Sequence, residues 1–487
     1  MYKLPVSIML GFLLIAGCET KEQFYEDVSL TREMAYKQWE NRQEQQKQDQ
    51  TVISGKLNMQ DCLKLAVNNN KMLQSLVEEK EIARGVELKS YSAILPSAGV
   101  TAGYMRKDKP MSVNTGAGTI TLGDRDNYSA GLRVTQPLFA GGSIIARLNT
   151  GKLYALLADQ TVRAGLETVI FEAARQYYDV LLSQHLYDNS DEAVRLAQAH
   201  LDDVKKKRQS GVASDFDVLR SEVELSNFKA EMIQHKNAIN VSKANLLKTM
   251  GVSQDSEVVL SDELVYVSLT MRMEQAVEVA YRNRPDLFSH QFNIKMQKEL
   301  LTIARSRYFP TIGGYYDYLW SNPDPHDNTI IEWGNAWDIG IMASMPLFDG
   351  FSREGDVIQQ KARLKQSQID LVDAEETALF ELTKALFTIE NAAEFVDSQN
   401  LNLTRAKEGL RLAEIGYREG TNTQFETIDA QAALTKARAF YYQAIYTHNV
   451  AKLMLQKAMG TLTTYEPGTS ENKAEVPAVN DPNTGGK

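Results

Sequence analysis

The chain has few of the residues and runs that would place it in several common classes. Of its 487 residues only Cys18 and Cys62 are cysteines, so no intramolecular disulfide remains if Cys18 is modified. No stretch after residue 18 approaches 18 consecutive apolar residues, so no transmembrane helix is expected and further membrane contact must come from strands. The net charge is −10, and no basic stretch alternates with aromatics. These features argue against nucleic acid as a partner.

Sequence patterns of catalysis are also missing. There is no phosphate-binding glycine loop, no serine on a strand-turn-helix elbow and no cysteine-based site. The six histidines are scattered, without the i, i+4 pair typical of a metal site: His185, His200, His235, His290, His326 and His448. The sequence therefore predicts no enzyme activity, no cofactor and no bound metal.

The first residues resemble a bacterial lipoprotein signal. Lys3 precedes an apolar run that is too short to span a bilayer, and Ala16-Gly17 leads into Cys18. We expect residues 1–17 to be a signal peptide and Cys18 to be the lipidated first residue of the mature chain. Glu19 favours sorting to the outer membrane. The alternative is an ordinary signal peptide with a chance cysteine.

The segments outside the main body differ in composition. Residues 18–57 are rich in Gln, Glu and Lys and are predicted to be a tether or peripheral helix. Residues 461–487, rich in Pro, Gly, Asn and charge, are predicted to be a disordered tail, and residues 252–272 a linker.

The body of the chain is an internal duplication, predicted as repeats 58–251 and 273–460. Early landmarks are offset by 214 residues (273 minus 59, 310 minus 96) and later ones by 209 (346 minus 137, 460 minus 251), which leaves a five-residue indel between Pro96 and Pro137. The matching landmarks are Met59 and Met273, Pro96 and Pro310, Pro137-Leu138-Phe139 and Pro346-Leu347-Phe348, Gly211 and Gly420, and Met250-Gly251 and Met459-Gly460.

Each repeat contains one very long predicted helix. Residues 143–208 and 352–417 contain no proline, and 66 residues correspond to a helix of about 100 Å. Shorter helices are predicted over 58–94, 214–250 and 273–308, with breaks near Asn70 and Pro285. Apolar residues recur every seven positions in the second long helix, as in a coiled-coil seam: Leu382, Ile389, Val396, Leu403 and Leu410, with Val372, Leu379, Leu386 and Ala393 beside them.

Between the helices, each repeat carries two alternating segments. They have the period of two and the terminal aromatics of transmembrane β-barrel strands, and they centre on residues 100–104, 128–134, 312–320 and 337–343. Four strands cannot close a barrel, and open edges are not tolerated in lipid. Closure must therefore come from other copies of the chain, and three protomers would give twelve strands. The predicted fold is mainly α with a transmembrane β part: a long antiparallel α-helical barrel plus four β-strands per protomer, which would close a 12-stranded barrel as a trimer.

The chain resembles the TolC-like outer-membrane factor family over about residues 58–462. The resemblance is carried by the duplication, by Gln136-Pro137-Leu138-Phe139-Ala140-Gly141-Gly142 and Met345-Pro346-Leu347-Phe348-Asp349-Gly350, by Arg284-Pro285-Asp286-Leu287, and by the turns at Gly211 and Gly420. It implies a lipid-anchored outer-membrane exit duct that extends into the periplasm. Its implied partners are a periplasmic adaptor protein and an inner-membrane transporter.

The helix-to-helix turns lie about 100 Å from the strands and form the predicted periplasmic tip. By position, the resemblance implies that Gly211, Val212, Gly420 and Thr421 face the adaptor, and that Phe425 and Asp429 form an apolar and an acidic constriction. Further candidates are Glu426 and Phe216 for the gate, and Arg220, Tyr417 and Arg418 for a latch between helices. The alternative is a solvated acidic helix face.

Other functions stay open at this point. Type I protein secretion uses the same kind of exit channel as small-molecule efflux. A structural coiled-coil lipoprotein would explain the helices but not the repeated aromatic strands, and an envelope enzyme would need a polar constellation that is missing.

Overall fold

A computed structural model describes residues 21–49, 55–114, 116 and 118–462. The predicted signal peptide, the lipidation site Cys18 and residues 463–487 of the predicted tail lie outside the described residues. Among the described helices, none combines the length and apolarity needed to cross a membrane.

The elements follow the predicted order in both repeats. The helices are α1 Lys21–Asp49, α2 Met59–Asn69, α3 Lys71–Ser90, α4 Ser143–Gln209, α5 Asp215–Met250, α6 Met273–Asn283, α7 Pro285–Ser306, α8 Ser352–Arg418 and α9 Gln424–Ala458. The strands are β1 Gly55–Leu57, β2 Ser97–Arg106, β3 Met111–Asn114, β4 Thr119–Leu122, β5 Asp126–Ala140, β6 Val258–Leu260, β7 Thr311–Asn322 and β8 Gly334–Ser344.

The two long helices, α4 and α8, have 67 residues each. Both start after a residue in the left-handed region, Gly142 with φ 89° and Phe351 with φ 68°, which turns the chain sharply out of the strand. At about 1.5 Å per residue each helix is about 100 Å long, as the absence of proline predicts.

The shorter helices break at the two predicted positions. Asn70 separates α2 from α3, and Arg284 separates α6 from α7, at equivalent positions of the repeats (284 minus 70 is 214). Asn70 Nδ2 donates to the carbonyl of Thr249 at 2.9 Å, and Arg284 Nη1 donates to the carbonyl of Ala458 at 3.0 Å. Each break is thus tied to the end of the short helix that closes its own repeat.

A four-stranded antiparallel sheet has the order β2-β5-β7-β8. Val134 of β5 lies opposite Tyr316 of β7, and the register shifts between Pro137 and Phe139. One face is apolar and aromatic, for example at Ile339 and Ile341 of β8. The other face carries polar groups such as the Arg133–Asp317 ion pair, so alternation produces two different surfaces.

The helices lie in the same order as the strands. Next to the sheet the order is α3-α4-α7-α8, and farther away it is α5-α4-α9-α8. One edge of the protomer therefore consists of β2, α3 and α5, and the other of β8 and α8. One row of the predicted seam lies in the core, since Leu382, Ile389, Val396, Leu403 and Leu410 are all buried. The row beside it does not, since Val372 and Leu379 are exposed.

Three segments are more structured than predicted. In the linker 252–272, β6 pairs in parallel with β1, and Val258 and Leu264 are buried. Leu462, assigned to the disordered tail, is 1% exposed and packs in the core. A short β3–β4 hairpin lies in the loop predicted between β2 and β5. No local pattern predicts the first two, because β1 lies far from β6 in the chain and Leu462 packs against distant residues. Strands β3 and β4 have only four residues each, inside a loop rich in Gly, Asn and Asp.

Candidate functional site at the helical tip

The two turns at the far ends of the long helices have the same geometry. Gly211 and Gly420 adopt φ of 78° and 76°. The next residues, Val212 and Thr421, donate from their backbone nitrogens to the carbonyls of Lys207 at 2.9 Å and of Gly416 at 2.8 Å. Left-handed glycine after a helix is a favoured way to satisfy the last carbonyls. Val212 is 77% exposed, so the first turn presents an apolar side chain at the tip.

Each turn is followed by a capping box that begins the next helix. The Ser214 hydroxyl and the Asp217 carboxylate bond each other's backbone nitrogens, and Thr423 and Glu426 do the same. The hydrogen bonds from Ser214 hold the pKa of Asp217 below its usual range. Glu426, predicted to belong to the gate, thus uses its carboxylate to cap α9, with an oxygen 2.7 Å from the Thr423 nitrogen.

Phe216 and Phe425 occupy equivalent positions of the two repeats (425 minus 216 is 209), each two residues after the N-cap residue of its capping box. They are 68% and 52% exposed. One turn further, Arg220 and Asp429 are also equivalent but carry opposite charges (429 minus 220 is 209). The Arg220 guanidinium lies 4.5 Å from the centre of the Phe425 ring, a cation–π contact, and the Asp429 side chain is exposed.

Polar contacts connect the two helical hairpins near the tip. Gln424 Nε2 donates to the Asp217 carbonyl at 3.1 Å and also to the Ser221 hydroxyl, which joins the start of α9 to α5. Farther from the tip, Gln431 Nε2 donates to the Ala193 carbonyl at 3.0 Å, and Asn189 Nδ2 donates to the Thr435 carbonyl at 2.9 Å. The second hairpin is therefore held against the first within one protomer.

The predicted latch residues have different surroundings. Tyr417 of α8 contacts α4: Lys207 Nζ lies 3.7 Å from its ring centre, and the His200 ring lies 5.5 Å away. Burial lowers the pKa of His200 below its usual value. Arg220 bridges α5 and α9 through Phe425. Arg418 is exposed at the end of α8. Lys207 and His200 were not anticipated from the sequence, because they lie more than 200 residues from Tyr417.

The structure thus brings Phe425, Arg220 and Phe216 to one end of the protomer, with Asp429 one turn beyond Phe425. This cluster can present an aromatic and charged surface. Within the described residues, no group of His, Cys, Asp and Glu side chains could hold a metal ion.

Known proteins resemble this chain over most of its length. The family model described as "Outer membrane efflux protein" matches residues 63–252 and 276–461, one match in each repeat and more than half of the chain. The outer membrane protein TolC of Vibrio cholerae is 24% identical over 413 residues, covering 83% of this chain and 91% of that protein. The alkaline protease secretion protein AprF of Pseudomonas aeruginosa is 20% identical over 410 residues, covering 83% and 85%.

The fold resembles that of solved outer-membrane proteins. The crystal structure of VceC from Vibrio cholerae superposes with a TM-score of 0.72 and 16% sequence identity, covering 82% of this chain and 96% of VceC. At this identity the likeness concerns the fold alone. It confirms the predicted combination of long helices with a small sheet.

Proposed function

This chain belongs to the outer membrane efflux protein family, and from that premise we propose that three copies form a gated exit duct spanning the outer membrane and extending into the periplasm. The chain is an outer-membrane transport channel and not an enzyme. In the proposed assembly, three four-stranded sheets close a 12-stranded barrel and the long helices continue it as a tube.

One observation is the main support for the proposed trimer. Ile170 and Phe171 of α4 are 7% and 8% exposed, and Lys457 of repeat two lies over the Phe171 ring. The equivalent residues of α8 (170 plus 209, 171 plus 209) are Leu379 and Phe380, which are 49% and 65% exposed. Exposed apolar rows of this kind mark interaction surfaces. A second copy placed by the same geometry would cover them with its α3 and α5.

The free sheet edges support the same arrangement. In the described part of the chain, β2 and β8 each have one neighbouring strand in this sheet, and open edges do not occur in lipid. Because Val134 pairs with Tyr316, the repeat offsets (134 plus 209, 316 minus 214) predict that Ala343 of β8 lies opposite Ala102 of a second copy. Three identical pairings would close the barrel.

At the tip, we propose a closed constriction made by Phe425 and Asp429. Three Asp429 carboxylates around one axis repel each other, so closure would depend on other contacts. The links of Gln424 to α5 and of Tyr417 to α4 are suitable restraints, since each joins the two hairpins of a protomer. Phe216 and Glu426 are weaker candidates for the constriction, and Arg418 for the latch.

The partners and the cargo are also proposals. The exposed Val212 and the Gly211 and Gly420 turns form a surface suited to a periplasmic adaptor, which would couple the duct to an inner-membrane transporter. The name of the family denotes efflux, whereas AprF is named for protease secretion. Small-molecule efflux is our first proposal and type I protein secretion the second. Lipid anchoring at Cys18 remains part of the proposal.

Single-channel recording in planar bilayers tests this function. We expect the detergent-purified protein to insert as trimers with low conductance, and Asp429→Ala or Phe425→Ala to raise it. Lys436→Ala, three turns away from Phe425 on the same exposed face of α9, tests whether the effect is confined to the tip. Trimers that conduct freely and equally in all variants would contradict the assignment of Phe425 and Asp429 to the gate. Properly assembled protein that forms no channel would contradict the duct.

A further inference from the structure

A cavity of about 830 Å³ lies where the strands meet the helices. It is bordered by α3, α4, α7 and α8, and its charged residues are Lys89, Arg147, Arg307 and Asp356. A neighbouring cavity of about 760 Å³ lies over the sheet, and the two share Pro137, Ala140 and Thr311. They therefore form one continuous surface that runs from the sheet onto the helices.

The sheet shows which side of the protomer this surface occupies. The upper cavity is lined by Arg133, Asp317 and Asp338, which belong to the polar face. Ile339 and Ile341 of the opposite face are more than 70% exposed and suit lipid. In a closed barrel the polar face lines the lumen. The lower cavity, continuous with it, then lies on the inner wall of the duct.

The long helices show the same division into two sides. Arg147 lines the cavity, and Ile145, two residues earlier, is 56% exposed. Two residues correspond to about 200° around a helix, so these side chains leave α4 on opposite sides. Asp356 and Ile358 repeat this arrangement on α8, where Ile358 is 68% exposed. The charged side of both helices therefore faces the cavity.

The charges in the lower cavity do not cancel. Arg307 pairs with Asp356 and lies 3.7 Å from Asp349. Lys89 and Arg147 are exposed, and within the described chain neither has an ion-pair partner. In the upper cavity, Arg133 pairs with Asp317, and Asp338 adds one further negative charge. The excess positive charge is thus concentrated directly below the sheet.

We propose that Lys89 and Arg147 form an anion-binding belt in the wall of the duct, which takes carboxylate, phosphate or sulfate groups of passing cargo. The inference rests on the proposed trimeric duct, in which two cations from each of three protomers give six around the lumen. Same-sign charge on low-dielectric walls concentrates counter-ions and selects between permeating solutes. The belt would favour anionic cargo after it has passed the acidic tip.

Block of single-channel current by inorganic tripolyphosphate tests the belt. The full-length protein is recorded in planar bilayers in KCl, and tripolyphosphate is added to either chamber in turn. We expect block from the barrel side. The half-blocking concentration should rise at least tenfold in Lys89→Glu/Arg147→Glu and to an intermediate value in Lys89→Gln/Arg147→Gln. The reversal potential in a KCl gradient should shift toward the K⁺ equilibrium potential, more in the double Glu variant than in the double Gln variant.

The matched control is Lys152→Glu, which makes the same charge change at an exposed position of α4 about 140° away from Arg147. Its half-blocking concentration should stay within twofold of wild type. Equal block and equal reversal potentials in wild type and both belt variants would overturn the belt but leave the duct standing. Wild-type protein that conducts without any block would do the same. A wild type that forms no channel would overturn both.

Discussion

The helices α4 and α8 have equal lengths and equivalent turns, but their surroundings differ. α4 lies between α3 and α5 on one side and α7 and α9 on the other, whereas α8 has neighbours on one side only. Consequently Phe171 is buried and its equivalent Phe380 is exposed. One interface of the duplicated unit, between repeat one and repeat two, is thus formed within the chain. The equivalent surface of repeat two is exposed and available to a second copy.

The largest difference is expected between alanine substitutions at Leu382 and at Leu379. These residues belong to the two neighbouring rows of the seam on α8. Leu382 is 1% exposed, and Leu382→Ala should lower the free energy of unfolding by about 2–5 kcal/mol, because it leaves a cavity. Leu379 is 49% exposed, and Leu379→Ala should reduce the fraction of trimer while changing protomer unfolding little. Denaturant midpoints and native electrophoresis measure the two effects. An equal loss of protomer stability in both variants would contradict the assigned interface.

Glycines at two ends of repeat two offer a second comparison. Gly420 and Gly460 adopt φ of 76° and 70°, so alanine is strained at both, by about 1–2 kcal/mol. A Cβ at Gly420 meets open space, but one at Gly460 would lie 2.8 Å from the Arg284 backbone nitrogen. Gly460→Ala should therefore cost about 3 kcal/mol once overpacking is added. Thermal unfolding of the two variants checks the order, and equal costs would refute the close approach.

A buried carboxyl group on α4 should make the stability of the fold depend on pH, whereas its equivalent on α8 should not. Glu167 is 4% exposed, and burial raises its pKa to about 7, whereas its equivalent Glu376 is exposed (376 minus 167 is 209). A raised pKa stabilises the fold below about pH 4.5, and this contribution is lost as the pH rises through 7. The loss should reach about 3 kcal/mol.

The difference in unfolding free energy between wild type and Glu167→Gln, followed from pH 4.5 to 8, isolates this effect. His448 acts in the opposite direction, since burial lowers its pKa to about 4, and it is common to both proteins. Glu376→Gln is the matched control and should show no such slope. If the difference in unfolding free energy between wild type and Glu167→Gln does not change with pH, the pKa of the Glu167 carboxyl is not raised.

The smallest effects are expected at the two capping boxes. Ser214→Ala and Thr423→Ala each remove a side-chain bond to the N3 nitrogen and should cost about 1 kcal/mol. Because both boxes are exposed at the tip, hydrogen exchange should increase at the first turn of α5 in one variant and of α9 in the other. Exchange that spreads along the whole helix would contradict a purely local role.

The sequence predicted most of the fold because its signals are local or repeated. Proline-free stretches of helical period identified α4 and α8, and alternation identified β2, β5, β7 and β8. The breaks at Asn70 and Arg284 followed from helix-breaking residues. The family and the fold class are confirmed. For residues 252–272 the sequence predicts only a linker, because their burial depends on partners far along the chain.

The functional surfaces were less accessible to sequence reasoning. The Thr423–Glu426 spacing is that of a capping box, whereas position and charge predict a gate role for Glu426. The contacts of Tyr417 with Lys207 and of Arg220 with Phe425 depend on how two hairpins pack. The belt combines Lys89 with Arg147, which share no motif and meet only because α3 lies beside α4. The roles of Phe425 and Asp429 remain predictions.

The most direct test of the account is whether β8 of one copy pairs with β2 of the next in the register that the repeats predict. Cysteines at Ala343 and Ala102 should form a disulfide under mild oxidation and give covalent trimers on denaturing gels. Ala343→Cys with Thr101→Cys is the control, because a one-residue shift places the second side chain on the other face of the sheet. Covalent trimers from Ala343→Cys/Ala102→Cys alone are the predicted result. No covalent trimer from that pair, or equal yields from both pairs, would contradict a duct closed by repetition of its internal interface.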